Sequence, residues 1–250
     1  MKIWILDNGS IVIEHTQLMW NVPGEQVRIP VYSVLIEHDD GLFLFDTGID
    51  LDHMNRVLPF ELPEQTVEQT IPAQLTACGF ELGDVTAVVN SHLHIDHVGG
   101  NQLFAGTGVK HVIHAKELAQ ARNHEPFEFF GYSDKSWDYE SANFVPVTGD
   151  FELARGLHLH ETPGHTVGHY SLLVTGEQGA TPLLFAFDVT YTPAALEREI
   201  QAGFHNDPVA GVRSIRHVKA LAHEHGAKIF FSHDMEEWRT YKHAPDFYEV

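Results

Sequence analysis

The run Ser91-His92-Leu93-His94-Ile95-Asp96-His97 constrains this chain more than any other stretch. It sets three imidazoles and a carboxylate within six residues, shortly after the apolar run Val85-Thr86-Ala87-Val88-Val89. An apolar run of that length bounded by polar residues predicts a buried strand. A buried strand that ends in such a cluster delivers several metal-compatible donors to one point. Imidazole and carboxylate suit zinc, iron or manganese without any thiolate. A solvated histidine-rich loop is the bland alternative, and the position behind a buried strand weighs against it.

The pattern recurs along the chain. A strand at 157–160 runs into Thr162-Pro163-Gly164-His165, one at 183–187 into Asp188, and one at 228–231 into Ser232-His233-Asp234. Sheets collect the ends of their strands along an edge, where binding sites are usually built. Together the four strand ends predict one binuclear centre. His92, His94 and His165 would hold one ion, and Asp96, His97 and His233 the other. Asp188 is the natural bridge, because a carboxylate has two oxygens to share. Each ion keeps room for a shared water, and open positions mark a catalytic site. Two dications side by side turn that water into hydroxide near neutral pH. Such donors accept zinc, iron, manganese or cobalt.

Composition narrows the partners. The net charge of −20 opposes binding to nucleic acid or to anionic membranes. No apolar run is long enough to span a membrane, and Asp7 makes the N-terminus acidic too early for a signal peptide. Cys78 is the single cysteine, so no disulfide forms within the chain. These features predict a cytoplasmic protein, monomer or homodimer, acting on a small molecule. With 43% hydrophobic residues, the 250-residue chain reads as one α/β domain over 1–250. Of the 19 histidines, His15, His38 and His53 stand in polar contexts and read as surface residues.

Elsewhere the elements follow from periodicity. Residues 31–36 and 42–45 flank Asp39-Asp40-Gly41, a hairpin signal. Val67, Ile71, Leu75 and Cys78 share a helical face, which makes Cys78 a core residue rather than a nucleophile. Residues 110–114 predict a strand and 115–122 a short helix. Residues 123–150 lack periodicity but hold Phe127, Phe129, Phe130, Tyr132, Trp137, Tyr139 and Phe144. Such a segment is either a lid over a pocket or a loop packed on the body. Asp207 and Pro208 open a helix whose apolar face carries Val209, Val212, Ile215, Val218 and Leu221, with Gly226 as its stop. Two strand-rich halves with helices between them predict two packed sheets with helices outside.

The motif His92-X-His94-X-Asp96-His97, followed by His165, Asp188 and His233, resembles the metallo-β-lactamase-fold hydrolases over essentially the whole chain. The resemblance implies an αββα sandwich of two mixed β-sheets flanked by helices, with two metal ions, usually zinc, at one edge. It also implies a supporting role beside the ligands for Asp46. From the residues alone, Asp46 ends a strand before a tight turn, so turn capping is the alternative. His169 follows His165 at a turn or helical spacing and reads as a supporting imidazole. The commonest β-lactamases of the fold place a cysteine at the second metal, and Cys78 lies on a helix away from the ligand strands. Oxygen-reducing di-iron relatives usually carry Glu where this chain has His94. Glyoxalase-type thioesterases add a C-terminal helical domain, and nucleases of the fold need a basic surface.

The fuller pattern resembles the N-acyl-homoserine lactonase group. It includes Ser91 to Asn101, Thr162-Pro163-Gly164-His165-Thr166-Val167-Gly168-His169, Asp188-Val189-Thr190-Tyr191-Thr192 and Ser232-His233-Asp234. Local stretches, among them Arg28-Ile29-Pro30-Val31-Tyr32-Ser33 and Phe204-His205-Asn206-Asp207-Pro208-Val209, resemble 4-pyridoxolactonase, an enzyme of vitamin B6 degradation. Both resemblances imply hydrolysis of a small lactone. A metal-bridging hydroxide attacks the ring carbonyl, Tyr191 helps hold the oxyanion, and Asp96 carries a proton to the leaving alkoxide. An acyl-homoserine lactone is the leading substrate and 4-pyridoxolactone the alternative. Another hydrolase of the fold, a thioesterase or phosphodiesterase, ranks lower, and a metal-binding module without turnover lower still. Trp20, Arg28, Phe60, Phe127, Phe130 and Phe204 are candidate pocket walls. An apolar groove would favour acyl chains, whereas an Arg28 clamp would favour a flat pyridine lactone.

Overall fold

The apolar runs form the strands of two mixed sheets in this computed structural model, which describes residues 1–129, 131–177 and 179–250, with Asp134 described by its backbone alone. The strands are β1 (Lys2–Ile13), β2 (Val27–His38), β3 (Gly41–Phe45), β4 (Val85–Val89), β5 (Lys110–His114), β6 (Asn143–Val147), β7 (Phe151–Ala154), β8 (Leu157–Glu161), β9 (Tyr170–Val174), β10 (Leu183–Phe187), β11 (Lys228–Phe231) and β12 (Tyr248–Glu249). The chain divides into two compact units. The first comprises Met1–Val12, Pro30–Val147 and Tyr241–Glu249; the second comprises Ile13–Ile29, Thr148–Thr240 and Val250.

The first unit carries a seven-stranded sheet in the order β12-β1-β2-β3-β4-β5-β6. The Asp39-Asp40-Gly41 turn joins β2 and β3 as an antiparallel hairpin, with His38 opposite Gly41. β3, β4, β5 and β6 then run parallel, so β3 and β4 end together, Phe45 beside Val89. Central parallel strands have both faces covered, which is why β3 and β4 read as almost continuous apolar runs. Trp4, Leu35, Leu44, Leu75, Val88 and Phe104 form one buried cluster there.

The expected helix through Val67 is shorter than its periodicity suggests. It spans Ile71–Ala77, preceded by a separate turn at Val67–Gln69, and Val67 is exposed. Pro72 sits in the first turn, where it has no N–H to bond the Glu68 carbonyl and its ring would clash with that carbonyl, so the helix does not run back through Val67. Cys78 packs against the cluster as expected, and burial pushes its thiol up to about 12. In the aromatic segment, Tyr132 and Trp137 are buried against Leu93, Ile113 and Leu118, whereas Phe127 and Phe129 are exposed. The segment thus contributes a core plug as well as a surface. Phe130 lies outside the described residues.

The second unit carries a five-stranded sheet in the order β11-β10-β9-β8-β7. β10 is parallel to β11 and antiparallel to β9, and β9 is antiparallel to β8. β8, β10 and β11 therefore point the same way and deliver their C-terminal ends to one edge. The helix Pro208–His225 starts where Asp207 accepts hydrogen bonds from the Val209 and Ala210 amides, and it stops at left-handed Gly226. Its buried Ile215, Val218 and Leu221 pack on Leu173, Leu184 and Val189. Each such side chain contributes about 1.5–3 kcal/mol by leaving water.

Candidate active site

In the first unit, parallel pairing sets the geometry. Asp46 follows β3, and its amide donates to the Val89 carbonyl at 2.9 Å. Its φ of +58 turns the chain sharply, so the turn role is real. The carboxylate does more. Fully buried, it accepts hydrogen bonds from the Ser91 amide (2.8 Å), the Ser91 hydroxyl (2.7 Å) and His97 Nδ1 (2.8 Å). Ser91 Oγ, having donated to Asp46, is placed to accept from His92 Nδ1 at 3.0 Å. One carboxylate thereby fixes the tautomers of two imidazoles, so Nε2 is the atom each can offer to a metal. Burial pushes the Asp46 pKa up, while the His97 charge and the His97 and Ser91 hydrogen bonds pull it down.

His94 and Asp96 complete this cluster. His94 precedes the short helix Ile95–Val98, which carries Asp96 and His97. The His92 ring centroid lies 4.6 Å from that of His94 and 4.2 Å from that of His97, and His97 Nε2 is 3.6 Å from Asp96. Sequence reasoning assigned no role to three residues that hold the loop. Buried Glu117 accepts from the Leu93 amide and the Tyr132 hydroxyl, each at 3.0 Å. The Tyr132 ring packs on His94 at 5.0 Å. Gly131 lies so close that a Cβ there would fall 2.6 Å from the His94 ring. Nothing local in the sequence marks these contacts, because the partners are far apart along the chain.

A cavity of about 390 Å³ opens beside this loop, lined by Ile95, Tyr132 and Phe129 and by the basic groups His53, Arg56 and Lys135. His53, expected at the surface, is instead buried and hydrogen-bonded to the Ser133 hydroxyl.

The second unit carries its own cluster. Asp188 leaves β10 and His233 follows β11, brought level by the pairing of Phe187 with Phe231. Asp188 divides its oxygens: Oδ2 is 3.3 Å from His165 Nε2, and Oδ1 is 3.3 Å from His233 Nε2. His165 Nδ1 bonds to the Phe204 carbonyl at 2.8 Å, which directs Nε2 towards Asp188. His169, fully buried, accepts the Asp188 amide on Nε2 at 3.0 Å and meets the Thr162 hydroxyl through Nδ1 at 2.9 Å. Tyr191 is buried, with its ring edge-on to His233 at 4.5 Å.

Among the pocket-wall candidates, Phe60 and Phe127 are 60% and 68% exposed in the first unit. Trp20 and Phe204 are partly exposed in the second, with Trp20 against His205 at 4.5 Å. Arg28 is half-buried on β2.

A family model of the metallo-beta-lactamase superfamily matches residues 27–233. The chain belongs to the metallo-beta-lactamase superfamily. Its two mixed sheets with flanking helices are those of the superfamily's fold. The chain is 31% identical to an N-acyl homoserine lactonase from Bacillus sp, with 98% of each chain covered. It is 30% identical to the N-acyl homoserine lactonase AttM of Rhizobium radiobacter, covering 99% of this chain and 98% of that one. A solved N-acyl homoserine lactone hydrolase, with the product N-hexanoyl-L-homoserine at its catalytic metal center, superposes with a TM-score of 0.87 at 30% identity, over 98% of each chain.

Proposed function

We propose that this superfamily member is a quorum-quenching lactonase, opening the ester ring of N-acyl-homoserine lactones with two divalent metal ions, zinc in first place. The observation that carries the reading is the division of the Asp188 carboxylate, one oxygen to His165 and one to His233. A carboxylate so disposed suits a bridge between two cations. The donor chemistry fits as well: imidazoles oriented through Nδ1, carboxylates, and no thiolate. In this reading His92, His94 and His165 hold one ion, Asp96, His97 and His233 hold the other, and Asp188 is shared. Bound there, two divalent ions would supply a water deprotonated near neutral pH and would polarise the lactone carbonyl.

The side chains do the rest. Tyr191 donates its hydroxyl to the oxygen on which charge develops. Asp96 hands a proton to the alkoxide as the ring C–O bond breaks. Asp46 and His169 hold His97, His92 and the Asp188 backbone in register. Phe60 and Phe127 offer apolar surface suited to an acyl chain, with Trp20, Arg28 and Phe204 as further contacts. Residues 1–250 act as one catalytic domain, monomeric or homodimeric, in the cytoplasm. No helix among the described residues is long and apolar enough to cross a membrane, and the charge of −20 opposes nucleic-acid binding.

Relatives matched over nearly their full length are N-acyl homoserine lactonases, which favours that substrate over 4-pyridoxolactone. The test gives zinc-loaded protein N-hexanoyl-L-homoserine lactone and 4-pyridoxolactone in parallel and follows acid release. Opening of the first is expected, with loss after chelation and in His94→Ala. Preferential opening of 4-pyridoxolactone, or a rate indifferent to chelation, would overturn the reading.

A further inference from the structure

The second unit holds another group of metal-compatible donors, none of them part of the Asp188 set. Asp150, His160 and His217 each offer one ligand atom, and the three atoms lie within 4.8 Å of one another. They come from the turn before β7, from β8, and from the helix Pro208–His225. On β8, Leu157 and Leu159 are fully buried, while His158 and His160 lie on the opposite, half-buried face.

The carboxylate is anchored. Asp150 Oδ1 accepts the Glu161 amide at 2.9 Å, and Oδ2 is 3.3 Å from His160 Nδ1. The neighbouring Gly149 amide donates to Glu161 Oε1 at 2.7 Å, and the Tyr170 hydroxyl donates to the Gly149 carbonyl at 2.8 Å. The His160 side chain is 15% exposed, and Nδ1 is the ring nitrogen it turns to Asp150. Burial keeps this imidazole below its ordinary pKa, the nearby His217 and His158 push the same way, and Asp150 opposes them. A neutral imidazole is the form that ligates metals. The His160 and His217 rings stand 5.6 Å apart at 70°.

We propose that Asp150, His160 and His217 form a separate site for a divalent transition metal, zinc in first place, clasping the β7–β8 hairpin to the helix Pro208–His225. Zinc bonds of about 2.0–2.1 Å at tetrahedral angles space ligand atoms roughly 3.4 Å apart. The 3.3 Å between Asp150 and His160 already matches that edge, and a small turn of the half-buried His217 ring supplies the third donor. Two nitrogens and one oxygen leave a fourth position for water, open to solvent on the exposed Asp150 side. Such a site exchanges with free metal and binds more weakly than a closed four-ligand site. A field of net −20 raises the local concentration of cations.

The test is a metal count. Full-length zinc-loaded protein is dialysed to equilibrium against a series of buffered free-zinc concentrations, in wild type, His217→Ala and Asp150→Asn. Each variant is expected to hold about one ion fewer per chain than wild type at the upper end of the series. The zinc-dependent rise in Tm should shrink in step, while lactone opening stays within about 2-fold, because surface changes away from a site perturb little. Equal counts in wild type and both variants across the whole series would overturn the proposal. His217→Gln replaces His217→Ala if the latter fails to fold. The readout is a difference between wild type and variant, so it stands or falls independently of the lactonase reading.

Discussion

Asp46→Asn separates the two roles that Asp46 can play. The residue occupies a left-handed turn with φ +58, and asparagine tolerates that conformation as well as aspartate does. A pure turn cap would therefore survive the change. The hydrogen-bond pattern would not. The carboxylate accepts three hydrogen bonds, from the Ser91 amide, the Ser91 hydroxyl and His97 Nδ1. An amide keeps one oxygen, which serves the Ser91 amide, and turns an NH2 towards two donors. Hydrogen bonds to charged groups contribute about 1.5–3 kcal/mol each, so the unrelaxed loss is about 3–6 kcal/mol. The cheapest relief is for His97 to move its proton from Nδ1 to Nε2. That places hydrogen on the atom offered to the metal, and binding must then reverse the tautomer.

Changes to such outer hydrogen-bond partners typically cost 10–100-fold in metal affinity or activity. The assay is competition with a chromophoric zinc chelator, paired with kcat at limiting and at excess zinc. Weaker binding of about that size is expected, with kcat largely restored by excess zinc. If the variant held zinc as tightly as wild type and turned over equally fast at limiting metal, orientation of His97 by Asp46 would be refuted and the turn role alone would remain.

Tyr191→Phe keeps the edge-on packing against His233 and removes only the hydroxyl, so kcat should fall roughly 100–1000-fold with Tm unchanged, as for loss of one oxyanion donor; an unaltered kcat rules the hydroxyl out. Gly131→Ala places a Cβ 2.6 Å from the His94 ring and should lower activity about 10-fold or more, with far-UV circular dichroism confirming the fold; wild-type activity would show that the loop yields freely. Burial lowers the His111 pKa to about 4, well below its ordinary 6.5. Its Nε2 meets the Tyr139 hydroxyl at 2.8 Å, and that hydroxyl donates to the Asn101 carbonyl, so neutral His111 donates through Nε2. A depressed folded-state pKa means that the unfolded chain takes up the proton first. The contribution is complete above pH 6.5 and is lost as pH falls towards 4, up to about 3 kcal/mol. Urea midpoints should slope less between those values in His111→Gln than in wild type; parallel slopes would contradict the assignment.

What could be read from the sequence and what could not divide along a physical line. β4 and β10 were legible because interior strands must be apolar on both faces, edge strand β11 because of its short apolar run Ile229-Phe230-Phe231, and the helix Pro208–His225 because Asp207, Pro208 and Gly226 punctuate it. The proposed ligand residues stand out in the sequence because they crowd onto strand ends. β6 was not: it is a half-exposed edge strand carrying Pro146, whose ring removes a ladder donor. His53 and Glu117 escaped for another reason. Each is itself polar, and the chain beside it does not show the partner that buries it, Ser133 for His53, and Leu93 and Tyr132 for Glu117. Polarity along the chain does not report burial across it.

The same distinction explains how the loop around His94 is controlled. The donors His92, His94, Asp96 and His97 are local in sequence, but what fixes them is not. Asp46 arrives from the end of β3, Glu117 from the helix after β5, and Gly131 and Tyr132 from the aromatic segment. The aromatic segment therefore reaches the proposed ligand His94 through Tyr132 and Gly131, by packing rather than by donating an atom. Its exposed Phe127 and Phe129 lie a few residues from Gly131, and Phe129 lines the cavity beside the loop together with Tyr132. A molecule that pressed on Phe129 would therefore act on the wall that positions His94. That coupling gives substitutions at Phe129 a route to kcat as well as to KM, although the residue holds no ligand atom.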